Sequence, residues 1–237
     1  MEALVRWQHP THGLLAPSGF IPLAETTGLI VDLGRSILDK ACRQATRWRG
    51  GAELMLGVNL SARQLTDPGL LDQVVATLSS TGLPAERLVL EITETALLTS
   101  APDRVLAGLR QMGIRIALDD FGNGYSSLER LRRFPLDSIK SDKVFIDRVT
   151  GGLRESALAR AIVQLGQAMG LATVAEGIET AEQAAVLRQL GCGYGQGYHL
   201  AKPMTSQALG KLMEQPHHVR HDQLSSPASP AQSGIGR

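Results

Sequence analysis

The chain has 237 residues, 43% hydrophobic, which is enough to build one domain of barrel size rather than two small ones. Lys plus Arg number 24 against 23 Asp plus Glu, so no basic footprint for duplex nucleic acid or an anionic membrane is present. Met1-Glu2-Ala3 opens without a basic, apolar leader, no apolar run approaches bilayer length, and Cys42 and Cys192 fit no zinc or redox spacing. These features predict a soluble, cytoplasmic protein whose two thiols are small core residues.

In chain order, Ala3 to Trp7 reads as a short apolar strand, Pro17 to Gly28 as a capped helical turn, and Val31 to Trp48 as an amphipathic helix with Leu33, Ile37, Leu38, Ala41 and Ala45 on one side. Strands and helices then alternate. Strands are predicted over 54–60, 88–93, 114–118, 138–140, 172–175 and 194–196. Helices are predicted over 70–78, 105–112, 127–134, 153–169, 181–190 and 206–213. Serial βα repetition at this length argues for a closed TIM-like (β/α) barrel of parallel strands. Trp7, Trp48 and Phe134 read as core or helix-packing residues. From Gln215 to Arg237 the chain is Ser-, Pro-, Gln- and His-rich without periodicity, the composition of a disordered tail, and His217, His218 and His221 lie in it without a scaffold.

The strands end in a consistent kind of residue. Asn59 closes Leu-Gly-Val-Asn, Glu91 lies in Val-Leu-Glu-Ile-Thr, Asp119 and Asp120 close Ile-Ala-Leu-Asp-Asp, and Glu176 closes Thr-Val-Ala-Glu. Lys140 follows Ser-Ile, and Gln196 lies in Gly-Gln-Gly. Strand ends are where parallel barrels keep their chemistry. Glu2 alone stands at the start of its strand, and shares this rim only if that strand runs opposite to the others. Five carboxylates and one amide form an all-oxygen set, suited to Mg²⁺ or Mn²⁺ and not to zinc. Two ions roughly 3.5–4 Å apart, bridged by Asp119 or Asp120, would use the whole set in phosphoester hydrolysis. Lys140 is then a charge that orients the attacking water or neutralises the developing phosphorane. Gly122 and Gly124 let the following loop fold tightly over the site.

Glu2-Ala3-Leu4-Val5-Arg6-Trp7 resembles the signature of the EAL domains, the cyclic di-GMP phosphodiesterases of bacterial signalling. Asn59-Leu60-Ser61, Glu91-Ile92-Thr93-Glu94, Asp119-Asp120-Phe121-Gly122, Lys140-x-Asp142, Ala175-Glu176-Gly177-Ile178-Glu179, Gly195-Gln196-Gly197-Tyr198 and Lys202-Pro203 resemble the remaining motifs, in order and at similar spacing. The resemblance implies a TIM-like barrel, over residues 1–214, that hydrolyses cyclic di-GMP to linear pGpG with two Mg²⁺ or Mn²⁺ ions. It makes Glu2, Asn59, Glu91, Asp119, Asp120 and Glu176 metal ligands. Lys140 becomes the residue that binds and activates water, beside Asp142. Arg6 becomes a phosphate contact and Gln196 a substrate contact. Glu94 is similar to the residue that anchors the 119–127 loop, and Glu179 to a supporting acid behind the ligands. A homodimer and an upstream sensor or GGDEF-type domain are also implied.

Three positions depart from the family pattern. Asn123 stands where Thr is usual, Ser141 where an apolar residue is usual, and the strand that commonly precedes Glu-Ala-Leu with a Gln-Pro pair is not in the sequence. Seven strands are therefore counted for eight positions, a barrel lacking its first strand, with Glu2 and Arg6 held from one side only. Two readings follow: an active phosphodiesterase, or a catalytically impaired module that acts as a cyclic di-GMP receptor or protein-interaction domain.

Overall fold

The computed structural model describes residues 1–48, 54–100, 103–122 and 131–214. Near its start lies a small antiparallel hairpin, β1 (Trp7–His9) and β2 (Gly13–Leu15), with Trp7 opposite Leu15. The main sheet is parallel and curls in chain order through β3 (Leu56–Asn59), β4 (Leu88–Thr93), β5 (Arg115–Phe121), β6 (Ser138–Ser141), β7 (Ala172–Ala175) and β8 (Tyr194–Gly195). Met1 to Ala3 adds a seventh parallel position beside β3, through Gly57 N–H to Met1 O at 2.7 Å and Ala3 N–H to Gly57 O at 2.8 Å.

The period of two along these strands divides the protein into an outer core and an inner face. Leu88, Leu90 and Ile92, Ile116 and Leu118, and Ile139 are buried together with Leu38, Cys42, Ala45, Leu70, Val74, Leu106 and Leu109 from the helices Ile30–Arg47, Leu70–Thr81 and Asp103–Gln111. A second cluster joins Ile146, Val163, Ala175, Leu187 and Cys192. The intervening residues Gly57, Val89, Glu91, Ala117 and Lys140 line a cavity of about 550 Å³ on the concave side. The same alternation that puts apolar side chains under the helices therefore delivers Glu91 and Lys140 inward. Both thiols are buried as expected.

Several expectations are corrected. The stretch 3–7 is not one strand: its ladder ends at Ala3, and Trp7 belongs to the hairpin. The hairpin was not foreseen because three-residue strands that are exposed at two positions of three carry no alternation to detect. Because Met1 to Ala3 runs parallel to β3, Glu2 stands near the end of a parallel segment, and no reversed strand is needed to bring it to the rim. Trp7 is 44% exposed, its ring meeting Phe20 and His9 edge-on, and is not a core residue. Trp48 does pack against the core and donates its Nε1 to Ser206 O. The helix expected from Leu153 begins at Ala157, whereas β5 continues through Asp119 and Asp120 to Phe121. Residues 127–130 of the expected 127–134 helix, together with Asn123, Gly124 and the tail from 215, lie outside the described residues.

Candidate active site

Register brings the rim together. Asn59 is level with Glu91, Thr93 with Asp119, and Ser141 with Ala175, so the residues closing each strand meet at one end of the sheet. Between Leu118 and Phe121 the pairing with β6 slips, and Asp120 takes φ of 55°. A bulge of this kind re-aims side chains where a regular strand would send Asp119 and Asp120 to opposite faces. Asp119 is buried and accepts the Asp120 N–H at 3.0 Å, while Asp120 is exposed.

Lys140 is the centre of the cluster. The residue is only 3% exposed, and its ammonium lies 2.5 Å from Glu91 Oε2, 2.8 Å from Glu176 Oε1, 3.3 Å from Asp119 Oδ1 and 3.7 Å from Glu2 Oε2. Burial pushes the carboxyls of Glu91 and Glu176 up to about 7, each against the pull of Lys140. Burial also works against the charge on Lys140, but Glu91, Asp119, Glu176 and Glu2 outweigh it and hold its pKa above the ordinary range. Burial, then the charges of Asp119 and Asp142, raise Asp120. Among the described residues no three His, Cys, Asp or Glu side chains are arranged to hold one metal ion as they stand; the carboxylates point at Nζ instead.

Glu2 is held from two sides. Asn59 Nδ2 donates to its Oε1 at 2.8 Å, and Gln196 Nε2 donates to its Oε2 at 2.7 Å across the seam between the first and last sheet positions. The Met1 ammonium donates to Met55 O. The expectation that Glu2 is held from one side only is thereby overturned, and Gln196, expected at the substrate, gives its amide nitrogen to Glu2. This pairing spans 194 residues, which no local pattern in the sequence reveals.

The surrounding residues fall into place around this centre. Glu94, buried at the start of the helix Glu94–Thr99, accepts the Gly122 N–H at 3.3 Å, which ties it to the residue that follows β5. Gly122 has φ of 104°, and a Cβ there would meet the Phe145 ring at 2.7 Å, so the glycine is required twice over. Asp142 caps the short helix Lys143–Ile146 by accepting the Val144 N–H at 2.8 Å. Arg6 is exposed and donates to Val5 O. Glu179 does not enter the cluster around Lys140; it pairs with Lys143 at 3.0 Å. Two residues were missed by sequence reasoning. Lys143 also pairs with Asp147, and its side chain lies over Gly177, beside Glu176. Gly57 leaves room for Glu91, whose Oε1 would lie 2.1 Å from a Cβ at that position; a glycine inside a strand was the available signal.

A family model described as the EAL domain matches residues 1–203. The chain belongs to the EAL domain family. It is 44% identical over 213 residues to MucR of Pseudomonas aeruginosa, named a bifunctional diguanylate cyclase/cyclic di-GMP phosphodiesterase; the match covers 88% of this chain and 31% of MucR. It is 42% identical over 217 residues to NbdA of the same species, named a cyclic di-GMP phosphodiesterase, covering 90% of this chain and 28% of NbdA. This EAL domain thus spans about a third or less of the length of these curated relatives. Its fold resembles the solved PaMucR phosphodiesterase in complex with c-di-GMP, with a TM-score of 0.83 and 44% identity over 88% of this chain and 86% of that one. It also resembles the Xanthomonas citri FimX EAL domain in complex with c-di-GMP, with a TM-score of 0.77 and 26% identity over 85% of this chain and 80% of that one. The parallel, TIM-like arrangement expected from the sequence agrees with these neighbours, and no helix among the described residues is long and apolar enough to cross a membrane.

Proposed function

We propose that this EAL domain hydrolyses one phosphodiester of cyclic di-GMP to give linear pGpG, using two Mg²⁺ or Mn²⁺ ions at the strand-end rim. The observation that carries the proposal is the convergence of Glu2, Glu91, Asp119 and Glu176 on one buried lysine, in a chain 44% identical to a phosphodiesterase solved with c-di-GMP. The donor chemistry fits the ions: every candidate ligand offers oxygen, and Glu176 Oε1, although in ionic contact with Lys140, is buried without a hydrogen bond. Glu2, Asn59, Glu91, Asp119, Asp120 and Glu176 would hold the ions. Once bound, these supply Lewis acidity to the phosphodiester and acidify water.

The protein's own groups do the positioning. Asn59 spends its Nδ2 on Glu2, which leaves Oδ1 to face a cation. Gln196 fixes the other oxygen of Glu2. Lys140 opposes the negative charge that builds up on the oxygens of the attacked phosphoryl group, in a site where burial strengthens such attraction. The exposed guanidinium of Arg6 takes a substrate phosphate, with Asp142 on the same rim. Glu94 fixes Gly122, just after Asp119 and Asp120 at the same strand end. Lys143 and Glu179 steady the turn after Glu176. The same reading takes residues 1–214 as the catalytic domain of a cytoplasmic homodimer controlled by a sensor or GGDEF-type domain; the greater length of the curated relatives supports the further domain alone.

The test is direct. Purified protein with Mn²⁺ is expected to convert cyclic di-GMP to pGpG, followed by chromatography, and to stop with EDTA. Tight binding of cyclic di-GMP with no product in Mn²⁺ would replace the enzyme by the receptor.

A further inference from the structure

Four carboxylates lie within 3.7 Å of Lys140 Nζ, and among the described residues no three acidic side chains converge on any other point. An ammonium donates three hydrogen bonds and carries one charge, whereas the cluster offers up to four negative charges. Lys140 thus already occupies the coordination centre. Gly57, Val89, Ala117 and Val174 line the same cavity. A divalent ion seeking Glu91, Asp119 and Glu176 meets a resident cation, and two cations a few ångströms apart in a buried site repel strongly.

We infer that Lys140 is the internal counter-ion of this carboxylate cluster and that divalent metal enters by exchange with it, the ammonium withdrawing from Glu91 and Glu176 as the ion takes their oxygens. The inference rests on the metal-dependent reading above, and deepens it. Lys140 therefore has two positions. In the first it holds the carboxylates together in place of metal; in the second it is released towards the reacting phosphate. The exchange lowers the apparent affinity for metal, since each ion must displace a favourable contact, and keeps the carboxylates gathered while none is bound.

The experiment compares the full chain with Lys140→Met, which keeps the length of the side chain and removes the charge. Mn²⁺ binding is measured by titration calorimetry after EDTA treatment and dialysis, with thermal unfolding alongside. Lys140→Met is expected to unfold at a lower temperature in EDTA, to bind Mn²⁺ on the order of tenfold more tightly, and to gain more in Tm from Mn²⁺ than the parent does. Equal or weaker Mn²⁺ binding by Lys140→Met overturns the exchange, as does the absence of binding by both proteins. If the variant does not fold, crystals of the parent grown in EDTA and in Mg²⁺ decide. Nζ is expected within 3 Å of Glu91 Oε2 in EDTA and beyond 4 Å with Mg²⁺; an unmoved Nζ overturns the inference. Turnover is no part of these readouts. A parent that binds metal by exchange yet leaves cyclic di-GMP intact keeps the exchange and removes the phosphodiesterase.

Discussion

Gly57 places a charge without having a side chain. It lies on the inner face of β3, level with Val89 of the neighbouring strand, and the Glu91 carboxylate crosses the space that a Cβ would fill. Gly57→Ala puts a methyl group 2.1 Å from the present position of Glu91 Oε1. Because that oxygen is the far end of a flexible side chain, the carboxylate swings away from Lys140 and the backbone remains. The expected result is a destabilisation of about 1–3 kcal/mol, with kcat falling at least tenfold and substrate binding changing less. Chemical denaturation and steady-state kinetics check it; unchanged kcat would mean that Glu91 is not needed where it stands. At this scale the sequence was legible wherever a polar residue closes an apolar run: Asn59, Glu91, Asp119 and Lys140 stood out because a strand brings each of them to the same end. Gly57 and the hold of Gln196 on Glu2 did not, because each depends on a neighbour in space that the local sequence does not specify.

Among the elements, the short helix Lys143–Ile146 joins site to scaffold. Asp142 accepts the Val144 N–H and so caps it, directly after the strand that presents Lys140. The family resemblance marked Asp142 as an acidic partner of Lys140, and the structure adds a capping role; two substitutions separate them. Asp142→Asn keeps an oxygen that can cap and removes the charge, so it is expected to leave stability within about 0.5 kcal/mol while lowering activity. Asp142→Ala removes both, and should cost about 1 kcal/mol as well as activity. If both variants kept full activity, the charge would have no part in the chemistry. The parallel strands were readable because each is a run of buried aliphatic residues between turn signals, such as Leu-Val-Leu-Glu-Ile-Thr over β4. The hairpin of β1 and β2 was not, since exposed three-residue strands bury too little to impose a pattern on the sequence. The direction of the first segment was misjudged because its ladder is centred on Glu2 and not on Ala3 to Trp7.

Over the whole molecule, the sheet and its charge cluster stabilise each other only under certain conditions. Glu91 and Glu176 are raised to about 7 by burial, against an unfolded value near 4.5. A carboxyl whose folded pKa is raised binds more protons in the folded state, so the stability it contributes is present below about pH 4.5 and is lost as pH climbs through about 7. The Met1 ammonium, whose pKa burial lowers and the charge of Glu91 raises again, works in the opposite sense; losing the Glu91 charge lowers it further, which shifts the parent-to-variant difference in the same direction as the titration of Glu91 itself. The informative quantity is therefore the difference in Tm between the parent and Glu91→Gln in EDTA, in which Gln imitates the protonated acid. That difference is expected to move against the parent between pH 5.5 and 8.5, because only the parent must carry a second buried negative charge beside Glu176 at the higher pH. Excess Mn²⁺ should reverse the trend for the parent, since metal binds the deprotonated carboxylates and its stabilisation grows as protons leave. Differential scanning fluorimetry at four pH values, with EDTA and with Mn²⁺, gives both curves. A parent-to-variant difference independent of pH in EDTA would show that Lys140 alone already neutralises Glu91, and the account of the cluster as short of positive charge would fail.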